Sequence, residues 1–294
     1  MDWMKHKKIY FAISGIVLLI SIFALIKWNL RLGIDFTGGT TFDYKFSKVT
    51  EETQIEGVFK DSGIAIESID VDSRGVFEVK APPISSETKN KLDGLLKNFD
   101  KDYVELKYEV VGPSIGPELV KKTVTALVIS ASVILLWVAY QFKNIKYGLS
   151  AVLAMLHDSI VLLGAFSLMG HFMKVEVDFL FVTAMLTILS FSVHDTIVVF
   201  DRIREVNRKT GGNLVDIANI AVTQTMVRSL NNSFTIIFML VALALLGGDT
   251  IKWFAVALLI GTVSGTYSSP FVAVPLLVTF DQLKVERSKL IFKK

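Results

Sequence analysis

Four stretches of this chain carry no Asp, Glu, Lys or Arg: 18 residues from Ile9 to Ile26, 20 from Thr123 to Phe142, 20 from Ser229 to Gly248 and 28 from Trp253 to Phe280. A helix that crosses a bilayer needs ~20 predominantly apolar residues, and a soluble core helix rarely runs that long without a charge. Two more segments qualify with interruptions. Tyr147–Met173 is apolar except for His157, Asp158 and His171, and Phe179–Phe200 except for His194 and Asp195. The expected spans are therefore six: roughly 9–27, 122–142, 147–170, 178–200, 229–247 and 252–280. A soluble enzyme, a secreted disulfide scaffold and a disordered tail are excluded. With no cysteine among 294 residues, disulfides, zinc–thiolate sites, iron–sulfur clusters and thiol catalysis are excluded too.

Basic residues in short loops set the expected orientation. With both termini inside, the inner side holds 14 lysines and arginines, from Lys5 to Lys294, against Lys174 and Lys252 in the short outer loops. The expected organisation is a first membrane helix over 1–28, an external α+β domain over 29–120, helices two to six over 121–282 and a cytoplasmic basic tail over 283–294. No small-x-small cleavage site follows Ile26, so the first span reads as an uncleaved anchor.

The external segment has its own pattern. Thr41–Phe46 alternates like a half-buried strand. A helix should open at Thr50-Glu51-Glu52, with the Thr50 hydroxyl as its cap, and end at Ser62-Gly63. Ile64, Ile66, Ile69 and Val71 suggest a second strand, the Asp72-Ser73-Arg74-Gly75 turn leads to a third over 76–80, Ser85 starts a second helix, and a fourth strand covers 103–111. The order β-α-β-β-α-β is the ferredoxin-like split βαβ motif. The fold class expected is thus a polytopic α-helical membrane protein with an external α+β ferredoxin-like domain.

Charged groups inside membrane spans are expensive, ~2.5–3.5 kcal/mol each on insertion scales, and mark functional positions. Asp158 lies about 18 Å into its span at 1.5 Å per residue. Asp195 sits in the inner half of the fourth span and Arg228 opens the fifth, so the two should meet if their helices are neighbours. Thr183, Thr187, Ser190 and His194 share one helical face; Thr225, Arg228, Asn232 and Thr235 share another. Two polar faces with an acid on one and a base on the other suggest a hydrated seam in which making and breaking the pair couples protonation to shape. The competing reading is a static pair, with Ser, Thr and Asn holding helices together. His157-Asp158 and His194-Asp195 are also the dipeptides of metal-dependent hydrolases, but adjacent helical residues point about 100° apart and no further His cluster is present. The run Gly261, Ser264, Gly265, Ser268, Ser269 reads as close helix packing, and Asp201–Glu205 as a surface helix at the inner interface. There is no Walker motif, catalytic triad or nucleotide loop; neither a cofactor nor a nucleic-acid partner is expected.

Four motifs carry a family resemblance. Leu32-Gly33-Ile34-Asp35-Phe36-Thr37-Gly38-Gly39 resembles the signature that opens the external region of the SecD/SecF family, and Val111-Gly112-Pro113-Ser114-Ile115-Gly116 resembles its return to the membrane. The stretch from Ser192 to Glu205 is similar to the family's fourth-span motif, and Gly261–Ser269 to its sixth. The family belongs with RND-type exporters. The resemblance implies an auxiliary subunit of the bacterial Sec translocase in the cell inner membrane, without a catalytic site. Such a subunit pairs with a separate SecD, associates with SecYEG and with YajC and YidC, contacts the translocating preprotein and uses a proton or sodium gradient. Carried over, the coupling acid is Asp195 and the arginine Arg228, with His194, Asp158 and Asn232 assisting and Gly33, Asp35, Gly38 and Gly39 forming the external signature. The family commonly has Asn where His194 stands, and fewer Thr and Ser surround Arg228 than its pattern has. The alternatives are an RND-type small-molecule or lipid exporter, which the roughly 90-residue external domain disfavours as a duct, and a purely structural assembly subunit.

Overall fold

The computed structural model describes residues 1–71, 74–112 and 115–291, with the side chains of 249, 250 and 284–291 excepted. Asp72-Ser73 of the expected turn, Pro113-Ser114 of the second signature and residues 292–294 of the basic tail lie outside the described residues. The chain forms two compact units: Met1–Arg31 together with Thr125–Lys294, and Leu32–Val124.

The first unit is helical. After a short 3₁₀ turn at Met4–His6 come α1 (Lys7–Trp28) and then, beyond the second unit, α5 (Ile115–Phe142), α6 (Ile145–Met173), α7 (Phe179–Thr210), α8 (Leu214–Leu246), α9 (Asp249–Ser268) and α10 (Val274–Ile291). A π-helical turn over Ser269–Ala273 joins α9 to α10, so both belong to one long rod. Among the described residues, six rods are long and apolar enough to cross a membrane.

Polar side chains fix where several rods begin. Asn144 accepts the Lys146 amide, Asp178 the Phe181 amide and Asn213 the Val215 amide, which satisfies first-turn donors that the helix itself leaves unpaired. Small residues bring α1 and α6 together. A Cβ on Gly164 would overlap Ser21, and the Ser167 hydroxyl donates to the carbonyls of Ala24 (2.9 Å) and Asn29 (2.7 Å).

Two rods extend far past the charge-free runs. Asp201–Glu205 is no separate surface helix: it continues α7 to Thr210. Arg202 pairs with Glu205, Arg204 with Asp201 and Lys209 with Glu205, while Ile203 and Val206 bury on the opposite side. Amphipathic continuation with i,i+3 and i,i+4 ion pairs keeps the helix intact after the apolar run has ended. Likewise α8 starts at Leu214, 14 residues before Arg228, so Arg228 sits near mid-helix and does not open the span.

The second unit has α2 (Ile34–Thr37), β1 (Gly39–Lys45), α3 (Glu52–Ser62), β2 (Ser68–Val71), β3 (Val76–Ala81), α4 (Ser86–Phe99) and β4 (Val104–Val111). The four strands form one antiparallel sheet in the order β2-β3-β1-β4, the ferredoxin-like arrangement. Alternate residues Phe42 and Tyr44 of β1 and Phe77 and Val79 of β3 face Ile55 and Phe59 of α3 and Leu92 and Leu96 of α4 in one core. The sheet starts two residues earlier than the alternation suggests because Gly39 and Thr40 already pair with Val111 and Val110. The α3 cap also differs. Glu51, not Thr50, is the N-cap, closing a reciprocal box with Gln54, while the Thr50 hydroxyl turns back to the Lys48 carbonyl. Ser85 caps α4 through the Thr88 amide.

Candidate functional site

Three rods, α7, α8 and α9, pack side by side, and their polar faces enclose a cleft. It is lined by Ser192, His194 and Asp195 of α7, Asn232 and Ser233 of α8, and Gly261, Thr262, Gly265 and Thr266 of α9, with Phe191 and Ile236 at its apolar edge. About 330 Å³ of atom-free space lies there, part of it open to the surroundings. The glycines create the room and the closeness together: a Cβ on Gly261 would overlap the Ile188 side chain, and one on Gly265 would stand 3.4 Å from Ser192 Cα. Across the α8–α9 seam the Thr266 hydroxyl donates to Ser233 Oγ at 2.7 Å.

Asp195 is half-buried in this cleft, and its Oδ2 accepts the Ser229 hydroxyl at 3.1 Å. The expected encounter with Arg228 does not occur within the chain. Arg228 is exposed, one position before Ser229, and among the described residues it has no ion-pair or hydrogen-bond partner. The reason is helical geometry: neighbouring residues project about 100° apart, so the face that brings Ser229 to Asp195 turns Arg228 out of the bundle. His194 and Asn232 are both exposed at the cleft edge. Of the polar stripes, Thr183, Thr187 and Thr225 bond carbonyls of their own helices.

Asp158 lies deeper, with no exposed surface. Its Oδ1 accepts the Ser264 hydroxyl at 2.6 Å, its Oδ2 the hydroxyls of Ser192 at 2.7 Å and Ser268 at 2.6 Å, and His157 Nδ1 stands 3.0 Å from Oδ1. Removing a carboxylate from water costs several kcal/mol unless donors replace the water. Here α6 supplies the acid, α7 and α9 the donors. The small-residue run of the last span is therefore more than a packing surface: Ser264 and Ser268, four residues apart, present both hydroxyls to one carboxylate. The i,i+4 spacing was the available signal, and small residues alone disguised it. Next along, Ser269 Oγ meets the Thr196 hydroxyl at 3.0 Å, and the π turn begins there. Among the described residues no three His, Asp or Glu side chains gather as a metal set, so the His-Asp dipeptides lack further ligands.

The signature residues meet within the second unit. Gly33 caps the α2 turn, half-buried Asp35 lies within it, and Gly38 and Gly39 leave it with φ of 73° and 133°. Gly39 pairs with Val111, and Gly116 approaches the Phe36 carbonyl so closely that any Cβ would collide. Two glycine signatures far apart in sequence are one backbone junction.

Six membrane-length rods among the described residues, a ferredoxin-like unit inserted after the first, and a buried acid beside a cleft lined by a second define a polytopic α+β membrane protein with carboxylates set among its long apolar helices. Its relatives narrow that class. Residues 91–283 match the model of the C-terminal region of the protein export membrane protein SecD/SecF, and residues 30–48 the SecD/SecF GG motif. The protein translocase subunit SecF of Thermobaculum terrenum is 40% identical over 298 residues, covering 95% of this chain and 94% of that one. That of Haemophilus influenzae is 35% identical, covering 93% and 84%. A crystal structure of SecDF from Thermus thermophilus, titled a translocon-associated membrane protein, superposes with a TM-score of 0.83 at 30% identity. That match covers 96% of this chain and 39% of the solved chain, so this chain spans well under half of that chain. The chain belongs to the SecD/SecF family of protein export membrane proteins.

Proposed function

We propose that this chain is an auxiliary subunit of the Sec protein translocase that couples an ion gradient, of protons or sodium, to the export of polypeptides. The observation that carries the coupling is Asp195, a half-buried carboxylate in a polar cleft between membrane helices, held by a single side-chain hydroxyl from Ser229. A carboxylate with so few donors changes its charge readily when water or a cation reaches it, and the charge change alters how α7 and α8 fit.

Arg228 then completes its role with a partner. An uncompensated guanidinium facing out of a membrane bundle is costly. A counter-charge from an adjoining subunit relieves that cost, and a separate SecD, the other half of the two-part SecDF chains, is the partner we assign. His194, Asn232 and Asp158 assist at the cleft and behind it. Both termini face the cytoplasm of a bacterial inner membrane, and residues 29–120 stand outside, where the ferredoxin-like domain handles the emerging preprotein. SecYEG is the channel served, with YajC and YidC as further associates.

The test is secretion into membrane vesicles carrying an imposed ion gradient. Asp195→Asn abolishes gradient-dependent stimulation while the complex with its partner still assembles. Full stimulation in that variant refutes the coupling role.

A further inference from the structure

The two nitrogens of His157 have different fates. Nδ1 faces Asp158 Oδ1 at 3.0 Å, whereas Nε2 is buried and has no hydrogen-bond partner among the described residues. The residue is only 6% exposed, so an orphaned ring nitrogen there is a cost that a purely structural histidine has no reason to carry. The tautomer with its hydrogen on Nδ1 gives the Asp158 carboxylate a fourth donor beside Ser192, Ser264 and Ser268. Nε2 is then a bare lone pair.

We infer that His157 and Asp158 form a second proton-binding site of this chain, set behind the Asp195 cleft, with Ser192, Ser264 and Ser268 as its positioning residues. This rests on the ion-coupling reading and gives it a second station. In the empty state Asp158 is an anion held by three hydroxyls and the Nδ1–H. One incoming proton forms an N–H bond at Nε2, and the dyad becomes an imidazolium–carboxylate pair. Release breaks that N–H bond and restores the anion, so the local charge changes by one while Nδ1 keeps its hydrogen throughout.

Its surroundings favour that cycle. From α9, Tyr267 faces the imidazole with ring centroids 6.4 Å apart, and its hydroxyl meets Ser14 Oγ of α1 and lies 3.2 Å from the Tyr10 carbonyl. From α7, half-buried Asp195 follows Ser192 by three residues along the cleft, and His194 beside it in the chain is exposed. The π turn contributes Ser269, with no ionisable residue, and the Lys146–Asp281 pair joins α6 to α10 well away, three turns along α6. No arginine or lysine is paired with Asp158 among the described residues, so the proton on His157 decides the charge of the cluster. The link to the cleft is short. Ser192 lines it and also donates to Asp158 Oδ2, and the Cβ position of Gly265 is 3.7 Å from that same oxygen.

The chain has four histidines, which makes the decisive measurement tractable. In vesicles holding this chain with its partner subunit, solid-state ¹⁵N NMR of labelled imidazoles resolves His157, assigned by loss of its signal in His157→Gln. Expected, as the pH is stepped down across the range in which the vesicles stay intact, is a reversible switch of Nε2 from bare to protonated, with Nδ1 protonated throughout. Asp158→Asn and the milder Ser264→Ala both displace the midpoint of that switch. A His157 that stays in one neutral tautomer across that range overturns the inference, as does a switch indifferent to both variants. None of these readouts depends on secretion, so failure of the Asp195→Asn prediction is seen separately. In the vesicle secretion assay Ser264→Ala shifts the pH profile of stimulation, and Ser264→Thr restores it; an unmoved profile counts against the positioning role.

Discussion

Gly261 places the cleft, and replacing it tests how. A methyl group there would overlap Cγ1 and Cδ1 of Ile188, a side chain 1% exposed and therefore unable to swing into open space. Two effects oppose each other. Alanine is favoured over glycine inside a helix by ~1 kcal/mol. Inserting a methylene-sized group into a packed interface costs ~1–3 kcal/mol. Because the obstacle is boxed in, the overlap takes the upper part of its range, about 2–3 kcal/mol, and Gly261→Ala is expected to lower stability by about 1–2 kcal/mol net. At about 2–4 °C per kcal/mol for a unit of this size, that is a fall of roughly 2–8 °C in melting temperature, read from tryptophan fluorescence in detergent. The compensating variant sharpens the test. Ile188→Ala alone costs ~2–5 kcal/mol, but it empties the space that an alanine at 261 requires. The double variant should therefore be more stable than the two single effects predict, by ~1–3 kcal/mol. Gly15→Ala serves as the control: no atom lies within 4 Å of its Cβ position, and its melting temperature should hold or rise. An unchanged melting temperature for Gly261→Ala, or strict additivity with Ile188→Ala, would falsify the close α7–α9 packing on which the cleft depends.

The ferredoxin-like unit offers two further tests through the infrared amide band of its sheet, since every described strand lies there. The Ser47 hydroxyl, aided by the amides of Ser47 and Asp102, holds the Asp100 carboxyl below its ordinary 3.8 against the effect of burial. A depressed folded value means that the contribution is full above that ordinary value and is lost as pH falls through the folded one. The sheet should therefore melt earlier at pH values below 3.8, and Asp100→Asn should lessen that acid sensitivity; equal acid sensitivity in both proteins counts against the assignment. Gly39 has φ of 133°, and a Cβ would stand 3.1 Å from the Ala81 carbonyl oxygen. Gly39→Ala is expected to cost ~1–3 kcal/mol of backbone strain, and a sheet that melts as in the parent protein refutes it.

Much was legible before any coordinates. Six spans and the βαββαβ order follow from hydropathy and periodicity, which report burial directly. Helix ends were less legible. Asp201–Thr210 and residues 214–228 are polar enough to end a membrane run, yet amphipathic enough to remain helical, so the charge-free windows fell short of both helices. The Thr50 hydroxyl was the expected cap of α3, and the turn of the backbone gave that place to the Glu51 carboxylate instead.

The amino-acid sequence by itself determined that Asp158, Asp195 and Arg228 enter membrane-length helices, because the hydropathy summed along each run outweighs the cost of one charge within it. Which groups meet was decided by tertiary structure. A rotation of about 100° per residue separates Ser229, which reaches Asp195, from Arg228, which faces outward. The same geometry brings two serines of the last rod and one of α7 onto Asp158 and leaves one nitrogen of His157 open. Spacing along one helix can state which residues share a face; only the packing of three helices determines what that face touches.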